Sequence, residues 1–273
     1  MFVKKYLALI LFMFIFCSCF AIKDLMRDMQ FYKSDDHTYH SGDVYEHSIW
    51  VLRTVAAWLQ NKKYPWTVGI DIKKHKKILV LAAFLHDIGK CGDNKFDWKG
   101  KRLHPETGFE YLTGRRAYMS RNIPVLNNLD FKKIGEEFEI NQTDMHLVAI
   151  LVAMHYKFGD VMRKRISVKR YVQFLKSMTV QLNYHMSQEL IKMCILISAA
   201  DVKGLGYLPD HKIGDPVPYY LGMFEGVKFF DEWVREIVAP YPALKDGWSD
   251  WGYTTNALKT RAQIIKYYKH NGI

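Results

Sequence analysis

Outside its first 22 residues the chain has only two cysteines, Cys91 and Cys194. Two thiols cannot build a disulfide framework, so the fold must rest on its hydrophobic core whatever the compartment. No stretch alternates apolar and polar residues strongly enough to demand a half-buried strand, and no segment recurs at a fixed period. Sheet architectures and solenoid arrays are therefore not indicated. Acidic residues are also few beside basic ones: 28 Asp+Glu against 39 Lys+Arg leave a formal net charge of +11. Such a surplus favours anionic partners, namely phosphate esters, nucleic acid or an acidic lipid surface, without choosing among them.

What is present is an apolar, aromatic-rich chain of 273 residues, 49% hydrophobic and 15% aromatic, enough to bury a core. Lys4 and Lys5 precede an apolar run over residues 6–22, the layout of a signal peptide or short membrane anchor. The run is a little shorter than the roughly 20 residues of a usual spanning helix. Both readings lead to a membrane-anchored or exported protein. Cys17 and Cys19 fall inside this run, where Ser18-Cys19 is only a faint lipidation signal.

From Ser41, a plausible N-cap, apolar residues recur at helical spacing until Tyr64-Pro65. Further helices are expected over residues 76–88, from His104 through HPETGFEYL, and over 144–156 and 190–202. After a proline-bearing loop at 209–218, an aromatic helix over 219–238 and a basic one over 256–268 complete an all-α bundle. The expected organisation is a leader at 1–22, a linker at 23–40, a helical core at 41–206 and a helical C-terminal extension of the same domain at 207–273.

Polar residues stand at the ends of these apolar helices: His47, His86, Asp87, His155 and Asp201, with His104 at a helix start. A buried carboxylate is costly unless it is paired or holds an ion. Single histidines at helix ends are more often caps than ligands, and His37, His40, His75, His146, His185, His211 and His270 are read that way. The selected six share a mixed nitrogen and oxygen chemistry that suits Mn, Fe, Zn or Mg. In FLHDIGK, residues 84–90, neighbouring His86 and Asp87 point about 100° apart on a helix, a poor geometry for pairing with each other.

The ordered set YHSGDVYEHSIWVL, FLHDIGK, RLHPETGFEYL, VAMHYKFGD and ISAADVKG resembles the HD superfamily of metal-dependent phosphohydrolases over about residues 41–206. That resemblance implies an all-α HD-domain bundle. It implies a first divalent ion on His47, His86, Asp87 and Asp201, and a second on His104 and His155, with Asp87 bridging. It also implies hydrolysis of a phosphoester, such as a nucleotide, by a metal-activated hydroxide, with Asp87 and Lys90 as catalytic residues and Lys90 approaching the substrate phosphate. Arg163 and Arg165, in the basic run RKRISVKR, are added as substrate-binding candidates because they follow His155 closely. The alternative is a non-catalytic, membrane-tethered HD module that binds a nucleotide or nucleic acid. Relatives that cleave cyclic dinucleotides carry a GYP motif after the fourth site; here Tyr156 and Lys157 follow His155, so that substrate is not supported.

Overall fold

The computed structural model describes residues 44–60, 64–91, 104–114, 131–205 and 251–271, together with Leu25 and Met29. No strand occurs among the described residues, as expected of an all-α chain. The helices are α1 (Val44–Gln60), α2 (Ile72–Leu85), α3 (His104–Leu112), α4 (Phe131–Glu137), α5 (Gln142–Met154), α6 (Lys157–Met162), α7 (Val168–Gln181), α8 (Gln188–Leu205) and α9 (Trp251–His270). A short 3-10 turn, Ile88–Cys91, follows α2. Among the described residues no helix is long and apolar enough to cross a membrane. The leader, the Ser41 cap and the helix expected at 219–238 lie outside the described residues.

Helix starts follow local chemistry. Asp71 caps α2 by accepting from the Lys74 amide at 3.2 Å, Asn141 caps α5 through the Asp144 amide at 2.9 Å, and Ser167 caps α7 through the Arg170 amide at 3.2 Å. The Ser187 hydroxyl accepts the Leu190 amide at 3.1 Å at the start of α8. The helices expected at 76–88, 144–156 and 190–202 thus all begin a few residues earlier, at polar caps that an apolar pattern does not mark.

Helices α1, α2, α5 and α8 form the centre, with α1 against α2 and α8, and α5 against α2 and α3. From Leu147 to Met154 helix α5 is apolar on every side: Leu147, Val148, Ile150, Leu151 and Val152 are fully buried. Each contributes on the order of 1.5–3 kcal/mol through burial. Helix α9 packs on α6, α7 and α8, burying Ala257 and Ile264, and Tyr268 donates to the Met186 carbonyl at 3.0 Å. Helix α7 was not anticipated from the sequence, although Tyr171, Val172, Leu175 and Thr179 form a buried helical stripe.

Candidate metal centre

Helix α2 ends at Leu85, one turn earlier than the apolar run suggests. His86 keeps helical backbone angles as the C-cap, and the chain then tightens into the 3-10 turn, with the Lys90 amide donating to the Asp87 carbonyl at 2.8 Å. His155 occupies the equivalent position at the end of α5. His47 comes from the first turn of α1, Asp201 from the last turns of α8, and His104 from the first position of α3. Five separate elements therefore deliver six side chains to one place.

The Asp87 carboxylate lies between two pairs of imidazoles. Its Oδ2 is 3.7 Å from His47 Nε2 and 3.5 Å from His86 Nε2, while its Oδ1 is 3.2 Å from His104 Nε2 and 3.6 Å from His155 Nε2. Asp201 Oδ1 lies 2.9 Å from His47 Nε2 and 3.5 Å from His86 Nε2. The contact between His86 and Asp87 is too long for a hydrogen bond, so these neighbours do not satisfy each other. Lys90 makes the closest approach to Asp87, with Nζ 2.5 Å from Oδ2.

The outer nitrogens of two rings are spoken for. His86 Nδ1 donates to the Ala83 carbonyl and His155 Nδ1 to the Val152 carbonyl, each at 2.7 Å. A carbonyl can only accept, so the neutral ring carries its proton on Nδ1 and presents the Nε2 lone pair inward. His86 Nε2 stands 3.1 Å from His47 Nε2, and His155 Nε2 stands 3.3 Å from His104 Nε2. Convergent lone pairs beside two carboxylates are the donor set of a divalent metal site. The groups His47-His86-Asp87, His86-His155-Asp201 and Asp87-His104-His155 each bring one ligand atom per residue within 4.8 Å of the others.

Burial lowers the pKa of His47 and His104 and pushes His155 down to about 3, which keeps these imidazoles neutral and able to coordinate. In His86 burial acts the same way, but the charges of Asp87 and Asp201 outweigh it and the net shift is upward. Burial would raise both carboxylates. Lys90, then His86 and His104, nevertheless hold Asp87 well below its usual range, and His47 and His86 do the same for Asp201. Two ionised carboxylates thus face mostly neutral imidazoles, the protonation pattern that metal binding requires.

With this geometry in place, a comparison with protein families finds an HD domain match over residues 44–201, more than half of the chain. The chain belongs to the HD domain family. No curated protein and no solved structure matches it. The HD domain fits a metal-dependent hydrolase superfamily, and its histidines and aspartates could hold a metal.

Arg163 and Arg165 are not part of the cluster. They stand beyond Tyr156, whose ring meets His104 edge-on at 6.3 Å between centroids. The Arg163 guanidinium lies 5.9 Å from the Tyr156 ring centre, and Arg165 donates to the Tyr156 hydroxyl at 3.1 Å with Asp160 3.6 Å away. The run RKRISVKR is not one helix face. It crosses from the cap of α6 at Arg163 to the cap of α7 at Ser167.

Two features that hold this HD site together carried no signal in the sequence. Gly89 lies against the first turn of α3: a Cβ there would overlap the His104 carbonyl oxygen and sit 2.7 Å from the Gly108 amide nitrogen. Ser198, one turn before Asp201, donates its hydroxyl to the His155 carbonyl and lies 3.4 Å from the Met154 carbonyl. Carbonyls in the last turn of a helix have no partner within it, so Ser198 satisfies the end of α5 and ties it to α8. Ser198→Ala is expected to lower stability by about 1–3 kcal/mol through the unsatisfied buried carbonyl, read as a shift in urea midpoint at constant slope. An unchanged midpoint would show that the tie carries no weight.

Proposed function

We propose that this HD domain is a phosphohydrolase that holds two divalent ions, drawn from Mn, Fe, Zn or Mg, and cleaves a phosphoester, nucleotides included. The observation that carries this reading is the division of the Asp87 carboxylate, with Oδ2 toward His47 and His86 and Oδ1 toward His104 and His155. His47, His86, Asp87 and Asp201 would hold one ion, and Asp87, His104 and His155 the other. When bound, such ions supply the Lewis acidity that makes water nucleophilic near neutral pH and that offsets charge building on the phosphoryl oxygens.

The protein's own residues do the rest. The carbonyls of Ala83 and Val152 lock the His86 and His155 rings in the coordinating tautomer. Lys90, nearly buried beside Asp87, keeps a fixed cation at the centre, where it can meet a substrate phosphate oxygen. Arg163 and Arg165, placed by Tyr156 and Asp160, offer positive charge to the more distant part of an anionic substrate.

Metal analysis of the purified protein, followed by a screen of mononucleotides, cyclic nucleotides and short oligonucleotides for released phosphate or ester cleavage, tests the proposal. His104→Ala and His155→Ala are each expected to lower bound metal from about two ions per chain toward one, because Asp87 and the inner histidines remain. Full metal content in both variants would sink the two-ion reading.

A further inference from the structure

Each histidine of the outer pair is followed two residues later by a charged side chain: Glu106 after His104 and Lys157 after His155. These two meet. Lys157 Nζ donates to Glu106 Oε1 at 2.8 Å, with the lysine side chain 14% and the glutamate 31% exposed. The same ammonium lies 4.7 Å from the Phe174 ring centre, and the Arg170 guanidinium lies 4.6 Å from that ring. Lys157 is thereby anchored to α7 while it grips α3.

We propose that the Glu106–Lys157 ion pair is a positioning latch that sets the roll of α3 and so places His104 opposite His155 for the second ion; this rests on the two-ion reading above. Residues two apart on a helix point about 200° apart, so Glu106 leaves α3 on the side away from His104. A tether there resists rotation about the helix axis. At a side-chain radius of about 5–6 Å, a roll of roughly 10° moves the His104 ring by about 1 Å. Metal-ligand distances tolerate only about 0.2 Å. The latch therefore governs coordination more than stability, since a partly exposed ion pair contributes only about 0–1 kcal/mol to folding. The inner ligands His47, His86 and Asp201 lie on α1, at the end of α2 and on α8, none of which the latch holds.

Mn titrated into the metal-free full chain, without substrate, tests the latch by calorimetry together with the count of ions bound. The wild type is expected to bind two ions. Glu106→Gln and Lys157→Met should keep the tighter site and weaken the second by at least about tenfold, the usual scale for groups that orient a ligand. Lys157→Arg, which retains the charge, should stay within about threefold of wild type. The metal-free melting temperature of every variant should stay within about 4 °C of the wild type. Wild-type affinity for the second ion in both Glu106→Gln and Lys157→Met overturns the latch while leaving the two-ion centre intact, and so does a Lys157→Arg variant as weak as Lys157→Met. A wild type that binds fewer than two ions overturns the two-ion reading itself.

Discussion

Asp87→Ala is expected to abolish metal binding at both positions and, with it, phosphoester hydrolysis above background. The carboxylate lies within 3.7 Å of all four histidine Nε2 atoms of the cluster, and both of its oxygens are used. The same substitution leaves the Lys90 ammonium, whose side chain is 9% exposed, without its 2.5 Å partner. Thermal unfolding reads the metal contribution directly. An ion present at about 100 times its dissociation constant stabilises the folded state by about 2.7 kcal/mol. For a chain of this size that corresponds to a fall of about 5–10 °C on chelation of the wild type. Asp87→Ala should show almost none of that response. A variant that binds its full metal complement and hydrolyses phosphoesters normally would make FLHDIGK a structural motif with no metal function.

Gly89→Ala is expected to produce the second-largest loss, by a different route. The added methyl would overlap the His104 carbonyl oxygen and crowd the Gly108 amide nitrogen, and these are backbone atoms that cannot rotate away. Gly108 is itself confined, since a Cβ there would be 2.8 Å from Val152 Cγ1 and 3.3 Å from Ile88 Cγ2. Helix α3 would have to move as a unit, carrying His104 away from its 3.2 Å approach to Asp87. Overpacking of this kind costs about 1–3 kcal/mol of stability. A displacement of about 1 Å at a reacting centre lowers activity by about 100-fold. Bound metal should fall toward one ion per chain, because His47, His86 and Asp201 do not depend on α3. Wild-type activity and metal content in Gly89→Ala would show that α3 can yield without disturbing the centre.

The helical class and the six candidate ligands were legible in the sequence because both are local or ordered signals. Apolar spacing marked the central helices, and FLHDIGK put a histidine and a carboxylate at the end of one of them. Boundaries were less legible. Helix α2 stops at Leu85 instead of running through Asp87, because the chain there must tighten into the 3-10 turn that packs on α3. A one-dimensional pattern contains no record of that neighbour. The short α6 offers too few residues for a periodic signal, and α7 buries only the thin stripe Tyr171, Val172, Leu175 and Thr179 beneath a polar outer face.

By itself the sequence determined which residues could coordinate: imidazoles and carboxylates at the ends of helices too apolar to leave in water, in an order that resembles one family. Only the tertiary structure decided how they meet. The division of Asp87 between two histidine pairs, the carbonyls that select the His86 and His155 tautomers, the Gly89 contact with α3 and the Ser198 tie all join residues on different elements or through backbone groups. Their geometry comes from how α1, α2, α3, α5 and α8 pack, and coordination depends on tenths of an ångström that residue identity and spacing along a chain do not encode.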